Sequence, residues 1–379
     1  MEKKNQVPKY PLLRFPEFTD EWTQTTIGEI CKVSTGEMNT QDKIEDGMYP
    51  FYVRSSKIER ANRYTYDGVA ILTPGDGAIG QIFHYSKGKI AVHQRVYMLT
   101  EMQCIPKYLF HCFSARFFGR VKKMSAKNTV DSVRMNMITD MPIPLPSLPE
   151  QRKIAALLSL IDERIEVQNA IIKEQEALKA SLIRRLFDRT LRFPEFTDEW
   201  KEVRLGEVTC ERNETNAPTL PLLSITANKG VIPQTDSEKK DVSNADKSKY
   251  KRICSGDIGY NTMRMWQGRS ALSFVEGIVS PAYTIVTPLE GVSPLFLSYL
   301  IKRPRLIYEF WTHSQGLVED TLNCKYKDFA QITITIPSLP EQRKIAALLS
   351  AVDERLAVER AYAEQLKQQK AYLLRQMFI

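Results

Sequence analysis

A ten-residue string, LRFPEFTDEW, stands at Leu13–Trp22 and again at Leu191–Trp200. A fourteen-residue string, PSLPEQRKIAALLS, stands at Pro146–Ser159 and again at Pro337–Ser350. Repetition constrains the fold more than composition does, because a self-similar chain is built from copies of one structural plan. The first pair of strings is offset by 178 residues, from Trp22 to Trp200, and the second by 191, from Pro146 to Pro337. The 13-residue difference lies between the strings, where the copies have lost most of their identity. Identical frames thus enclose unlike inserts, an arrangement suited to holding two different readers at a fixed separation.

The frame reads as helix. All 17 glycines lie outside 149–190 and 340–379, and neither stretch holds a proline after its opening Pro149 or Pro340. Each opens on Ser-Leu-Pro-Glu (Ser147–Glu150, Ser338–Glu341), which predicts a capping box with a proline tolerated in the first turn. Ile154, Leu158, Ile161, Ile165, Gln168, Ile172 and Gln175 then alternate by four and three. Ile345, Leu349, Val352, Leu356, Glu359, Ala363 and Leu366 repeat the pattern, the spacing of a coiled-coil seam. Each helix should span about 40 residues, roughly 60 Å. A stripe of that length needs a partner. Pairing of the two helices within one chain is favoured over a homodimeric coiled coil or docking on separate partners, because a folded insert already joins them.

The inserts, 23–145 and 201–336, carry short strand-like runs broken by glycine-rich turns: Val69–Leu72, Ile90–Val92 and Tyr97–Leu99 in one, Leu222–Ile225, Ala271–Phe274 and Tyr283–Val286 in the other. Late in each comes a helix-like patch, Pro106–Phe118 and Pro294–Phe310, the second interrupted at Pro304. The chain therefore reads as an entry segment (1–22), an α+β domain (23–145), a helical region (146–190), a second entry segment (191–200), a second α+β domain (201–336) and a second helical region (337–379).

The net charge of +8 favours a polyanionic partner. The six cysteines form no CxxC pair, which suits reduced thiols in the cytoplasm, and no segment approaches 18 apolar residues, so no membrane span is expected. Gly75-Asp76-Gly77-Ala78-Ile79-Gly80 matches GxGxxG, but the residues after it read as strand and turn rather than as a helix facing a pyrophosphate. Gly256-Asp257-Ile258-Gly259 looks like its partial counterpart. No GxxxxGK[ST], HExxH or Asn/Asp-Pro-Pro-Tyr/Phe motif is present, and His84, His93, His111 and His313 lack ligand spacing, so neither a catalytic centre nor a metal site is expected.

Forked side chains on the insert loops are the candidates for reading DNA. Asn261, Arg264, Trp266, Gln267 and Arg269 share one predicted loop; Asn and Gln pair with adenine in two-pronged fashion, and Arg with guanine. In the first insert the counterparts are Arg54, Ser55, Ser56, Lys57, Gln81, His84, Gln94 and Arg95. A basic run, Arg116, Arg120, Lys122, Lys123 and Lys127, suits phosphate contact or a plain solvated face.

The paired Leu-Pro-Glu-Gln-Arg-Lys-Ile-Ala helices, the paired Phe-Pro-Glu-Phe…Trp-(x)4-(Ile/Leu)-Gly-Glu entries and the paired variable inserts resemble the specificity subunit of type I restriction–modification enzymes over nearly the whole chain. The resemblance implies an α+β fold: two α/β target-recognition domains separated by a long antiparallel two-helix coiled coil, with a pseudo-twofold internal repeat. It further implies that each variable domain reads one half of a split double-stranded DNA sequence. Two modification subunits holding S-adenosylmethionine would dock on the helical frame, and restriction subunits using ATP and Mg would complete the complex. This chain would bind no cofactor and catalyse nothing. A stand-alone DNA-binding regulator, or a coiled-coil scaffold without DNA binding, would share the same outline.

Overall fold

The computed structural model describes residues 11–125, 132–226, 229–237, 246–316, 318 and 321–378. The chain divides into two compact units, one within Met1–Ile171 and Glu359–Ile379, the other within Ile172–Val358. The candidate Lys127 lies outside the described residues.

The first unit contains strands β1 (Thr23–Thr26), β2 (Lys32–Thr35), β3 (Tyr49–Tyr52), β4 (Ile58–Ala61), β5 (Tyr66–Pro74), β6 (His84–Val92), β7 (Val96–Thr100) and β8 (Pro142–Leu145). Its helices are α1 (Ile27–Ile30), α2 (Pro106–Ser125), α3 (Met135–Thr139) and the start of α4 (Leu148–Phe187). Six strands form one sheet in the order β2-β7-β5-β6-β3-β4, antiparallel except for β3 on β6. β5 is central, and its consecutive buried residues divide by face. Ile71 joins the core under α2 with Phe113 and Phe117, whereas Ala70 and Leu72 pack with Tyr52, Ile90 and Val92 on the other side. That is the period-two alternation of a strand covered on both faces. Tyr108, Cys112, Phe113, Phe117 and Val121 bury one stripe of α2, which runs on past the expected Phe118 to Ser125.

The second unit contains β9 (Lys201–Arg204), β10 (Thr209–Glu211), β11 (Leu223–Thr226), β12 (Gly230–Pro233), β13 (Lys251–Ile253), β14 (Ile258–Asn261), β15 (Ser270–Leu272), β16 (Gly277–Val279), β17 (Tyr283–Pro288) and β18 (Thr333–Ile336). Its helices are α5 (Leu205–Val208), α6 (Pro294–Leu300), α7 (Pro304–Thr312), α8 (Tyr326–Phe329) and the start of α9 (Leu339–Met377). Its main sheet has the order β10-β17-β14-β15. This is the same path as β2-β7-β5-β6, so the two inserts share a four-stranded core despite their unlike sequences. Where α2 is continuous, the second unit has two helices, because Pro304 starts α7 with no amide to offer the preceding turn.

The repeated strings prove to be each other's partners. Instead of turning back as the glutamate of a capping box, Glu150 is 1% exposed and accepts from Arg14 Nε and Nη2, both at 2.8 Å, and from Trp22 Nε1 at 3.3 Å. Glu341 accepts in the same way from Arg192 Nε and Nη2 at 2.8 and 2.9 Å. A carboxylate this buried requires a cation, and the forked guanidinium supplies one in two-pronged form. The adjacent glutamines seat the inserts. Gln151 Oε1 accepts from Ile105 N and Gln342 Oε1 from Ser293 N, each at 2.9 Å. A third duplicated bond, Leu13 N to Gln376 O and Leu191 N to Arg185 O, joins each entry segment to the end of a long helix, at 3.0 Å in both units.

The long helices run antiparallel within each unit. In the first, Gln168 Nε2 donates to Glu359 Oε2 at 2.6 Å, Arg164 to Tyr362 OH at 2.6 Å, and Lys370 pairs with Asp162. In the second, Lys179 pairs with Asp353, and Leu186 and Phe187 share a core with Ile345 and Leu349. Ile154 and Leu158 lie in the core of the first insert beside Met377 and Phe378, so the first turns of the expected seam also seat a domain. Ile161, Leu356 and Leu366 are buried, whereas Ile165, Ile172 and Val352 are half-buried. A two-helix layer leaves its flanks open to solvent.

The repeat also supplies a control for one buried histidine. His111 is 1% exposed; its Nε2 lies 3.4 Å from Ser159 Oγ, and its Nδ1 lies 3.9 Å from the Asp162 carboxylate that Lys370 pairs with. The matching position in the second unit is Tyr299, whose hydroxyl donates to Asp353 Oδ2 at 2.7 Å, with Lys179 on the same aspartate. Burial lowers the His111 pKa to about 4 against the pull of Asp162, with Lys370 and Lys107 adding to the decrease. A depressed folded-state value stabilises above the unfolded value of 6.5 and ceases to do so as pH falls toward 4. His111→Tyr should therefore remove up to about 3 kcal/mol of acid destabilisation across that window. Equal loss of melting temperature from pH 6.5 to 4 in both proteins would show that another group titrates.

Candidate nucleic-acid interface

The shared four-stranded core makes the loops of the two inserts comparable. The loop leaving the central strand is residues 75–83 after β5 in the first unit and residues 262–269 after β14 in the second. Gly256 precedes β14 and hydrogen-bonds Ser273, at the opposite end, so the glycine run at Gly75 and the one at Gly256 are not counterparts. Gly77 and Gly80 adopt φ of +77° and +67°, and β6 follows them. The GxGxxG match is a turn into a strand, with no helix N-terminus to receive a phosphate.

In the first unit three segments meet around this loop. Arg54, Ser55, Ser56 and Lys57 form the exposed β3–β4 hairpin turn, Gln94 and Arg95 the exposed β6–β7 turn, and Gln81 is exposed on the loop itself. Asp76, in the loop, accepts from Arg54 Nη1 at 3.2 Å and Arg95 Nη1 at 2.9 Å. His84 packs its ring 5.1 Å from Tyr52, and burial lowers its pKa. The structure thus gathers Arg54 and Arg95 on Asp76, while Lys57 turns to Glu59 at 3.1 Å. The basic run on α2 is partly committed elsewhere: Arg120 Nε donates to Met137 O at 2.9 Å and Arg116 Nη1 to Pro142 O at 3.4 Å, fastening α3 and β8. Lys122 and Lys123 are exposed.

In the second unit, Thr262–Gln267 is a short 3-10 turn. Asn261 caps it, its Oδ1 accepting from Met263 N at 3.0 Å. The Trp266 indole is half-buried and donates to Met263 O at 3.0 Å. Two of the expected readers are therefore engaged internally, and Arg264, Gln267 and Arg269 remain exposed. Met265 anchors the turn in the core, and Gly268 (φ +72°) lets it pass Ile307 of α7, which a Cβ there would meet at 3.0 Å.

Sequence reading missed Asp76, which it placed only in a glycine turn; an acid amid exposed cations was the available signal. It also missed the Arg14–Glu150 and Arg192–Glu341 clamps. Among the described residues no group of three or more His, Cys, Asp or Glu side chains is placed to hold a metal ion, and no helix is long and apolar enough to cross a membrane.

Two unlike domains on one duplicated frame, with exposed cations beside the central loop in one and on it in the other, define a two-module recognition protein. The chain belongs to the family of the type I restriction modification DNA specificity domain, whose model matches residues 19–177 and 197–368. It is 24% identical over 405 residues to the type I restriction enzyme MjaVIII specificity subunit of Methanocaldococcus jannaschii, covering 96% of this chain and 92% of that one. It is 27% identical over 187 residues to the EcoDI specificity subunit of Escherichia coli, a match covering 48% of this chain and 40% of that one. A putative type I specificity subunit of Mycoplasma pneumoniae is 26% identical over 202 residues, 49% of this chain and 52% of that one. The chain thus spans about half, or less, of the length of these last two relatives. The crystal structure of a type I restriction-modification S subunit from M. genitalium shares the fold, with a TM-score of 0.66 at 16% identity over 98% of this chain and 99% of that one.

Proposed function

We propose that this chain is the non-catalytic, sequence-reading subunit of a type I restriction–modification complex. Residues 23–145 and 201–336 act as target-recognition domains, each reading one half of a bipartite site in double-stranded DNA. The entry segments 1–22 and 191–200 brace the domains, and the helical regions 146–190 and 337–379 keep the spacer constant. Two modification subunits and the restriction subunits dock on this frame in the cytoplasm and carry S-adenosylmethionine, ATP and Mg. One observation carries the reading: the four-stranded core and the Glu–Arg clamp are duplicated, while the loops at the end of the central strand differ in most exposed side chains, Arg264 and Arg269 having no counterpart on residues 75–83. Geometry is repeated and chemistry is not, as a bipartite reader requires.

Sequencing methylated adenines in host DNA with and without the gene tests this. A two-part motif with a constant gap should vanish on deletion; an unchanged methylation map would overturn the reading. Arg264 is one of three exposed forks of the second loop, with Gln267 and Arg269. Arg264→Ala should weaken cognate binding by about 1–3 kcal/mol and relax selectivity at one position of one half-site. A pure phosphate contact would instead weaken all duplexes alike and lower the salt slope by about one.

A further inference from the structure

Asp76 is a carboxylate in a place where a DNA-facing surface would be expected to exclude one. Its side chain is 17% exposed, between Arg54 at 47% and Arg95 at 63%. The three residues come from separate segments, and those of Asp76 and Arg95 are fixed beneath their side chains. Arg95 N donates to His93 Nδ1 at 3.0 Å, and Arg95 O accepts from Gly75 N at 2.8 Å. Gly75 O accepts from Val133 N at 2.6 Å, and Asp76 itself bridges Ser132. Burial works against ionisation of Asp76, but the hydrogen bonds from Arg95 and Arg54 outweigh it and hold the carboxyl below its usual range. It is therefore charged at neutral pH. The corresponding loop of the second unit, Thr262–Arg269, contains no acid of its own.

We propose that Asp76 is a positioning residue for recognition: its carboxylate aligns the Arg54 and Arg95 guanidinium groups as two fixed forks directed at base edges. The proposal rests on the DNA-reading role assigned to this domain. Each guanidinium has five N–H donors, and Asp76 engages a single nitrogen of each, leaving donors for the paired acceptors of guanine. Without the carboxylate both side chains would swing among rotamers and repel each other, keeping their charge but losing their aim. Aim carries sequence information, and charge carries general affinity.

This gives Asp76 a signature that a purely structural tie lacks. The full chain would be presented with a random duplex library and, separately, with one unrelated duplex at two salt concentrations, for wild type, Asp76→Ala, Asp76→Asn, Arg54→Ala and Arg95→Ala. Asp76→Ala should cut discrimination in one half of the selected motif by about ten- to hundredfold. It should bind the unrelated duplex as tightly as wild type or more so, because a negative charge has gone. The arginine variants should lose discrimination at the same positions and bind the unrelated duplex more weakly. Asp76→Asn, which keeps shape and one acceptor, should fall between and decides the matter if the alanine variant does not fold. Unchanged discrimination in Asp76→Asn and Asp76→Ala would overturn the proposal. So would losses that accompany a lower melting temperature and weaker binding to every duplex. A wild-type chain that selects no motif would overturn the underlying reading of the domain, a different failure.

Discussion

Exchanging residues 201–336 for the corresponding insert of a relative should change one half of the methylated motif completely and leave the other half intact. The ends of the insert make the exchange feasible. Lys201 pairs with Ile336 across the β9–β18 ribbon, as Thr23 pairs with Leu145 across β1–β8, so each insert enters and leaves its frame at adjacent points. The foreign domain must supply an amide to Gln342, as Ser293 does, and an apolar surface for Ile345, Ala346 and Leu349. Arg192 and Glu341 lie outside the exchanged segment and stay paired. Adenine-methylation sequencing of cells carrying the chimera gives the answer directly. Change in both halves, or in neither, would show that recognition is not modular.

The largest effect on stability is expected from Ile161→Asp. Ile161 is 5% exposed on α4, in the turn that precedes the Arg164–Tyr362 and Gln168–Glu359 contacts with α9. The substitution removes a buried aliphatic group and introduces a carboxylate with no cation assigned to it, together costing about 4 kcal/mol or more. For a unit of this size that corresponds to a fall in melting temperature of roughly 10–15 °C. Ile165→Asp is the comparison: Ile165 is half-buried, its carboxylate would reach water, and the cost should be about 1–2 kcal/mol. Thermal and chemical denaturation of the two variants measure the difference. Equal melting of Ile161→Asp and wild type would mean that this face of the helix is open.

Much of the architecture was legible in one dimension because it rests on local rules. Freedom from glycine and proline, with apolar residues at alternating spacings of four and three, predicts helices of about 40 residues, and α4 and α9 have 40 and 39. Pro304 marked the break that separates α6 from α7. Strand-like runs at Val69–Leu72, Ile90–Val92, Tyr97–Leu99 and Tyr283–Val286 lie inside β5, β6, β7 and β17. The site was less legible. Asn261 and Trp266 have the chemistry of base readers, yet the backbone of their own turn takes up their hydrogen bonds.

The sequence by itself determined that this protein is one plan used twice, with long helices as frame and unlike α+β domains as inserts, because repetition and helical periodicity need only neighbouring residues to express them. Tertiary structure alone decided what the repeated residues are for. Arg14 meets Glu150 across 136 positions and Arg192 meets Glu341 across 149, and Asp76 gathers cations from 22 positions before it and 19 after it. Such pairs leave no periodic trace. They form because a buried carboxylate must find a cation wherever the folded chain delivers one, and only the packing of strands and helices settles where that is.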